Sequence, residues 1–215
     1  MEQMIQNENM PRGELKRLRQ KEAARRSGIK KIGWAVGVIF IVGLTVGGGI
    51  WYGVKGNRNL PGVFYPSVGQ EHIALNAEPP KPYNSNPPSS GAHYGSPANW
   101  RVYDYEVNDK IFIHNLEHGG IWIAYKPSVS AQVVKDLEAI AEEFNGSKIV
   151  MAPRSSNDSD IAVAAWSRVL KLNSVSGAIS DSQKEEIRAF YRRFKNRGPE
   201  FDPDTMPGID PRSVQ

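Results

Sequence analysis

The sequence predicts an α+β protein: an N-terminal transmembrane helix followed by a small, mostly antiparallel sheet that carries two helices in ββα-ββα order. Three observations lead there. Ile32 to Val54 runs 23 residues without a charge; short β-branched and aromatic runs follow, separated by Gly, Pro and Asn; and two later stretches space their apolar residues as a helix does.

The N-terminal region comes first. Residues 1–31 carry nine Lys and Arg against four Glu, and the remainder carries 18 against 19, so the formal net charge of +4 belongs to a tail. A folded nucleic-acid-binding face is not expected. Glu14 to Arg26 reads as a basic helix, and residues 1–31 as a cytoplasmic tail that touches anionic lipid. As a helix, residues 32–54 would be roughly 34 Å long, against about 30 Å for a hydrocarbon core. Trp34 lies near one end, and Trp51 and Tyr52 near the other. The run exceeds the roughly 7–15 apolar residues of a cleaved signal peptide, and no Cys is present for lipid attachment.

Residues 32–54 therefore read as an uncleaved signal anchor. Cations crowd its N-terminal side and only Lys55 and Arg58 closely follow it. The expected placement is the cell membrane, single-pass, with the N-terminus cytoplasmic and the C-terminal domain extracytoplasmic. The pairs Gly33/Gly37, Gly43/Gly47 and Gly49/Gly53 would allow a homodimer through the span.

Residues 55–70, rich in Gly, Asn and Pro, read as a stalk, residues 71–201 as the extracytoplasmic α+β domain, and residues 202–215 as a flexible tail. Gln70 to Leu75 is a short strand, and Asn76 to Asn99, with six of the fifteen prolines, a long loop. Lys110 to Tyr125 reads as a hairpin, with two β-branched runs around a polar turn ending in Gly119-Gly120. Ser130 caps a helix with Val133, Leu137, Ile140 and Ala141 on one face, stopped by Asn145-Gly146. Lys148 to Ala152 and Ile161 to Leu172 are further strand candidates. Ser180 and Gln183 form a capping box that opens a second helix, and Gly198-Pro199 ends it. Both helices are expected on one sheet face.

Zero Cys excludes disulfides, thiolate metal sites and thiol catalysis. The chemistry then rests on four histidines, His72, His93, His114 and His118, which lie within 47 residues. Imidazole suits Zn and Cu, so the five residues His72, His93, His114, His118 and Glu117 form a candidate metal site for Zn or Cu. Met151 is a candidate soft ligand for Cu(I). The Pro-rich loop would hold His93 over the predicted turn, with Tyr83, Tyr94, Trp100 and Tyr103 as walls. The alternative is that each imidazole satisfies a buried carbonyl.

His114 to His118 also matches H-x-x-E-H, the inverted zinc-protease pattern, in which His114 and His118 would bind zinc and Glu117 would be the catalytic base. That pattern needs a helix, whereas the flanking runs read as strands. Three functional readings stay open: a divalent-metal-binding protein, a metal-free interaction module of an envelope assembly, and an H-x-x-E-H zinc hydrolase. Binding is favoured over catalysis.

Tyr83-Asn84-Ser85-Asn86-Pro87-Pro88-Ser89-Ser90-Gly91-Ala92-His93-Tyr94, then Ile113-His114-Asn115-Leu116-Glu117-His118-Gly119-Gly120, with Ala152-Pro153-Arg154 and Ala164-Ala165-Trp166, carry a resemblance. Over roughly residues 63–200 the chain resembles a domain-of-unknown-function family of mostly bacterial proteins, typically tethered by one N-terminal membrane helix. The resemblance implies a membrane-anchored extracytoplasmic domain without an assigned activity. It supplies no catalytic residues, so the metal reading rests on the side chains alone.

Overall fold

The computed structural model describes residues 12–58 and 60–214. The chain divides into two compact units, Met1–Asn59 and Leu60–Gln215.

The first unit is a single helix, α1 (Arg12–Arg58), so the predicted basic helix and the uncharged run are continuous. Residues 1–11 of the basic tail lie outside the described residues. Trp34, Ile39 and Phe40 are exposed on α1. Among the described residues, no helix is long and apolar enough to cross a membrane. The transmembrane signal anchor at residues 32–54 and the single-pass cell-membrane placement are corrected accordingly.

The second unit is built on a six-stranded mixed sheet. Its strands are β1 (Val63–Phe64), β4 (Arg101–Val102), β5 (Ile121–Tyr125), β6 (Ile149–Pro153), β7 (Ile161–Ala165) and β8 (Arg168–Leu172), in the spatial order β1-β8-β7-β5-β6-β4. A separate parallel pair joins β2 (His72–Ile73) to β3 (His93–Tyr94). The helices are α2 (Asp109–Glu117), α3 (Ala131–Glu143) and α4 (Asp181–Phe194), with a short 3-10 turn at Pro211–Ser213.

The strand and helix signals that rest on alternation and capping recur in the fold. Ser130 Oγ accepts from the Val133 N–H at the start of α3, and Ser180 with Gln183 forms the reciprocal capping box of α4. Ile161 to Leu172 is a hairpin, β7 against β8, with Ser167 at a positive φ in its turn.

Four expectations differ. The segment read as the first strand of a hairpin is helix α2, capped by the Asn108 side chain, which accepts from the Lys110 N–H. The sheet is mixed rather than mostly antiparallel, because α3 carries the chain from β5 to a parallel β6, and β4 also joins β6 in parallel. Residues 60–70, read as stalk, belong to the folded unit, since β1 pairs with β8 and the Tyr65 N–H donates to Ser167 O. Residues 202–214 are tied down as well: Ala98 and Ile209 form a bridge, and Tyr105 Oη donates to Asp210.

The two expected helices, α3 and α4, share one sheet face, and α2 covers the other. Ile121, Ile123, Tyr125, Ile149, Met151 and Val163 pack with Leu137 and Ile140 of α3 and Phe190 of α4. The alternate residues Trp122, Ala124, Val150, Ala152, Ala162 and Ala164 pack with Ile111, Phe112 and Leu116 of α2. Every residue of β5 and β7 is buried, as two covered faces require. Burial of each large apolar side chain here is worth about 1.5–3 kcal/mol. The alanines on the α2 side leave room for a helix to lie close to the sheet, and α2 carries the candidate site.

Candidate metal centre

Two elements bring the imidazoles together. In the parallel pair β2/β3, His72 stands opposite His93, which places both side chains on one face with ring centroids 5.0 Å apart. On α2, His114 and Glu117 lie three positions apart and share a helix face, and His118 caps its C-terminus. His72 stacks on His114 at 4.8 Å, and His93 meets His114 edge-on at 5.1 Å. His93 is fully buried, His114 and Glu117 nearly so, while the His72 side chain is 49% exposed and forms the solvent side.

The hydrogen bonds fix the ring orientations. A carbonyl only accepts, so His93 Nδ1–H donates to Gly91 O at 2.8 Å and His114 Nδ1–H donates to Tyr94 O at 2.7 Å. His118 Nδ1–H lies 2.8 Å from an Asp202 carboxylate oxygen. With Nδ1 so engaged, each of these rings turns its Nε2 toward another polar atom of the cluster. His93 Nε2 lies 2.9 Å from Glu117 Oε2, His72 Nε2 3.4 Å from the same oxygen, and His114 Nε2 3.1 Å from His118 Nε2.

Lone pairs at such separations require a positive charge between them, either a shared proton or a metal ion. Burial pushes His114 down to about 4, against the raising effect of its bond to Tyr94, so the ring is neutral at pH 7. Burial alone would raise the Glu117 carboxyl. The hydrogen bond from His93 and the fields of the neighbouring imidazoles outweigh it and hold the group below the usual carboxylate range. The separations also match the edges of a coordination polyhedron: ligand atoms about 2.0–2.1 Å from one ion stand roughly 2.9–3.4 Å apart.

The ligand atoms of His72, His93, His114 and Glu117 all lie within 4.8 Å of one another and could hold a metal ion. His118 falls in a second group, with Glu117 and Glu200. Met151 is fully buried in the core on the α3/α4 side of the sheet, away from α2. Of the four aromatic residues expected as walls, Tyr94 contributes its carbonyl, Tyr83 Oη donates to Ala92 O beside His93, and Tyr103 belongs to the core. Trp100 packs against Gly120. Trp166 is the aromatic ring that faces His93 edge-on, at 6.3 Å.

The surrounding structure holds α2 rigidly. Asn115, fully buried, accepts from the Ala98 N–H and donates to Ala98 O, as a paired strand would. Lys148 is buried and donates to His118 O at 2.6 Å, a cation at the C-terminus of α2, and its burial lowers its pKa. At the other end, Arg154 makes paired bonds to Asp109 at 2.8 and 2.7 Å and bonds Asn86 of the Pro-rich loop.

Sequence reasoning missed Glu200, Asp202, Lys148 and Arg154. Gly198-Pro199 was legible only as a helix stop, whereas the chain there folds back over α2: Asn196 N–H donates to Gly119 O and Glu200 N–H to Glu117 O. Gly198 lies so close that a Cβ there would collide with the Glu117 carbonyl oxygen.

No curated protein and no solved structure matches the chain. A family model described as "protein of unknown function (DUF3105)" matches residues 76–205, a span that contains His93, α2 and Glu200. The chain therefore belongs to the DUF3105 family.

Proposed function

We propose that the folded unit is a metal-binding domain that holds a divalent transition metal ion through His72, His93, His114 and Glu117. The observation that carries this reading is the convergence of the His93 and His72 Nε2 atoms on one Glu117 oxygen, with His114 in the same group, while the Nδ1–H groups of His93 and His114 are held by backbone carbonyls. Metal-binding imidazoles are commonly oriented in this way by a partner on the far nitrogen. Three imidazoles and a carboxylate suit Zn(II) best among common divalent ions. Cu(I) is disfavoured because Met151 lies on the opposite face of the sheet.

Hydrolysis is not part of the proposal. His114 and Glu117 do lie on a helix, as H-x-x-E-H requires, but the Glu117 oxygen sits among the imidazole nitrogens as a ligand would, rather than free to activate water. A metal-free structural role for the histidines is the competing outcome. The test is elemental analysis of the full chain, stripped with a chelator and reloaded with Zn(II). At least one tightly held equivalent is expected, lost in His93→Ala and His114→Ala variants that keep the wild-type circular dichroism. Retention of less than a tenth of an equivalent by the folded wild-type chain would overturn the reading.

A further inference from the structure

The two ligand groups share one residue, Glu117. We propose that Glu117 is a bridging carboxylate between two metal positions, and that His118 and Glu200 complete the second. The inference rests on the first position being a metal site.

Each part of the second position is fixed by something other than a metal. His118 is nine-tenths buried and its Nδ1 faces Asp202 at 2.8 Å, which leaves the Nε2 lone pair directed inward. That nitrogen lies 3.1 Å from His114 Nε2 and 3.5 Å from Glu200 Oε2. The first position takes the His114 nitrogen, and the His118 nitrogen, facing the Glu200 carboxylate and grouped with Glu117, is the imidazole donor of the second. Glu200 is delivered by its backbone: its N–H donates to the Glu117 carbonyl, and Gly198 permits the close crossing over the end of α2.

Each position has one half-exposed ligand, His72 at 49% in the first and Glu200 at 51% in the second. The positions differ in their donors: four side chains, three of them imidazoles, surround the first, and three surround the second, so the second holds its ion less tightly. It takes a first-row divalent cation through one imidazole and two carboxylates, a harder donor set than the first, and so accepts Mn(II) or Co(II) as well as Zn(II).

The experiment is a titration of the chelator-stripped full chain with Zn(II) and, separately, Co(II), following bound metal by equilibrium dialysis and elemental analysis. The expected result is two equivalents per chain, the second bound at least tenfold more weakly. Glu200→Gln and His118→Ala should each remove the second equivalent and leave the first, with circular dichroism showing that the fold is kept. One equivalent in the wild-type chain overturns the bridging proposal and leaves the first site standing. A second equivalent that persists in both variants also overturns it, because that ion then binds elsewhere. No bound equivalent overturns both.

Discussion

Replacing Arg154 by Met removes the guanidinium that joins three distant segments while keeping an apolar stem. The side chain is 7% exposed and makes paired bonds to Asp109, with further bonds from Nη1 to Asn86 at 2.5 Å and to Asn157 at 3.0 Å. A hydrogen bond to a charged group contributes about 1.5–3 kcal/mol, so the two bonds to Asp109 set the scale. The Asp109 side chain is 26% exposed and regains some water in the variant, which discounts that figure. A net loss of about 3 kcal/mol remains, at the lower end of what breaking a buried ion pair costs. For a folded unit of this size, about 2–4 °C is lost per kcal/mol, so the melting temperature should fall by roughly 6–12 °C. Urea denaturation of the wild type, Arg154→Met, Asp109→Asn and the double variant gives the coupling directly, expected at about 1.5–3 kcal/mol. A single-variant loss below about 1 kcal/mol, or a coupling near zero, would refute the assignment of Arg154 as the clamp on the N-terminus of α2.

Two further predictions follow from the site. In the chelator-stripped chain, His114 has a folded pKa near 4, below its ordinary 6.5, so folding favours its neutral form; the stability it contributes is complete above about pH 6.5 and is lost as the pH falls from there toward 4. Urea midpoints across that window should drop in the wild type and drop less in His114→Asn, and equal slopes would contradict the burial argument. Gly119 has φ +75°, and a Cβ there would lie 2.7 Å from the Asn196 backbone, so Gly119→Val should cost more than about 2 kcal/mol by denaturant titration and weaken metal binding by displacing the Glu200 segment. A variant as stable as the wild type would show that this crossing is not tight.

What was legible in the sequence were the features encoded over a few residues. Ser130, and Ser180 with Gln183, announce α3 and α4 because a cap needs only its own side chain and a nearby N–H. The alternating apolar runs at residues 149–153 and 161–172 announce strands for a similar reason.

Helix α2 was not legible. Its residues from Ile111 to Glu117 are all buried, between the sheet on one side and β3 with its loop on the other, so the apolar run shows no helical period and resembles a strand. Asn108 before the run and Gly119 after it were the local signals that identify it as a helix.

The candidate site divides the same way. The four histidines and Glu117 stood out because imidazole is scarce in this chain. Glu200 and Asp202 lie more than eighty residues further along in a stretch without periodicity, and they meet His118 only through the fold. The prolines of residues 202–214 signalled irregular backbone, and irregular backbone can still be pinned, as Asp202 on His118 and Ile209 on Ala98 demonstrate. In the N-terminal region, the uncharged run signalled a helix, and α1 is one, but among the described residues no helix is long and apolar enough to cross a membrane.

The central claim is that His72, His93, His114 and Glu117 surround one metal ion. An anomalous difference map from a crystal of the zinc-loaded full chain, recorded on both sides of the zinc absorption edge, tests it most directly. The account predicts a peak roughly 2.0–2.1 Å from the Nε2 atoms of His93 and His114 and about 2.0–2.2 Å from a Glu117 oxygen, with His72 closing the solvent side. A fully loaded crystal with its zinc peak elsewhere, and His93 still hydrogen-bonded directly to Glu117, would contradict it.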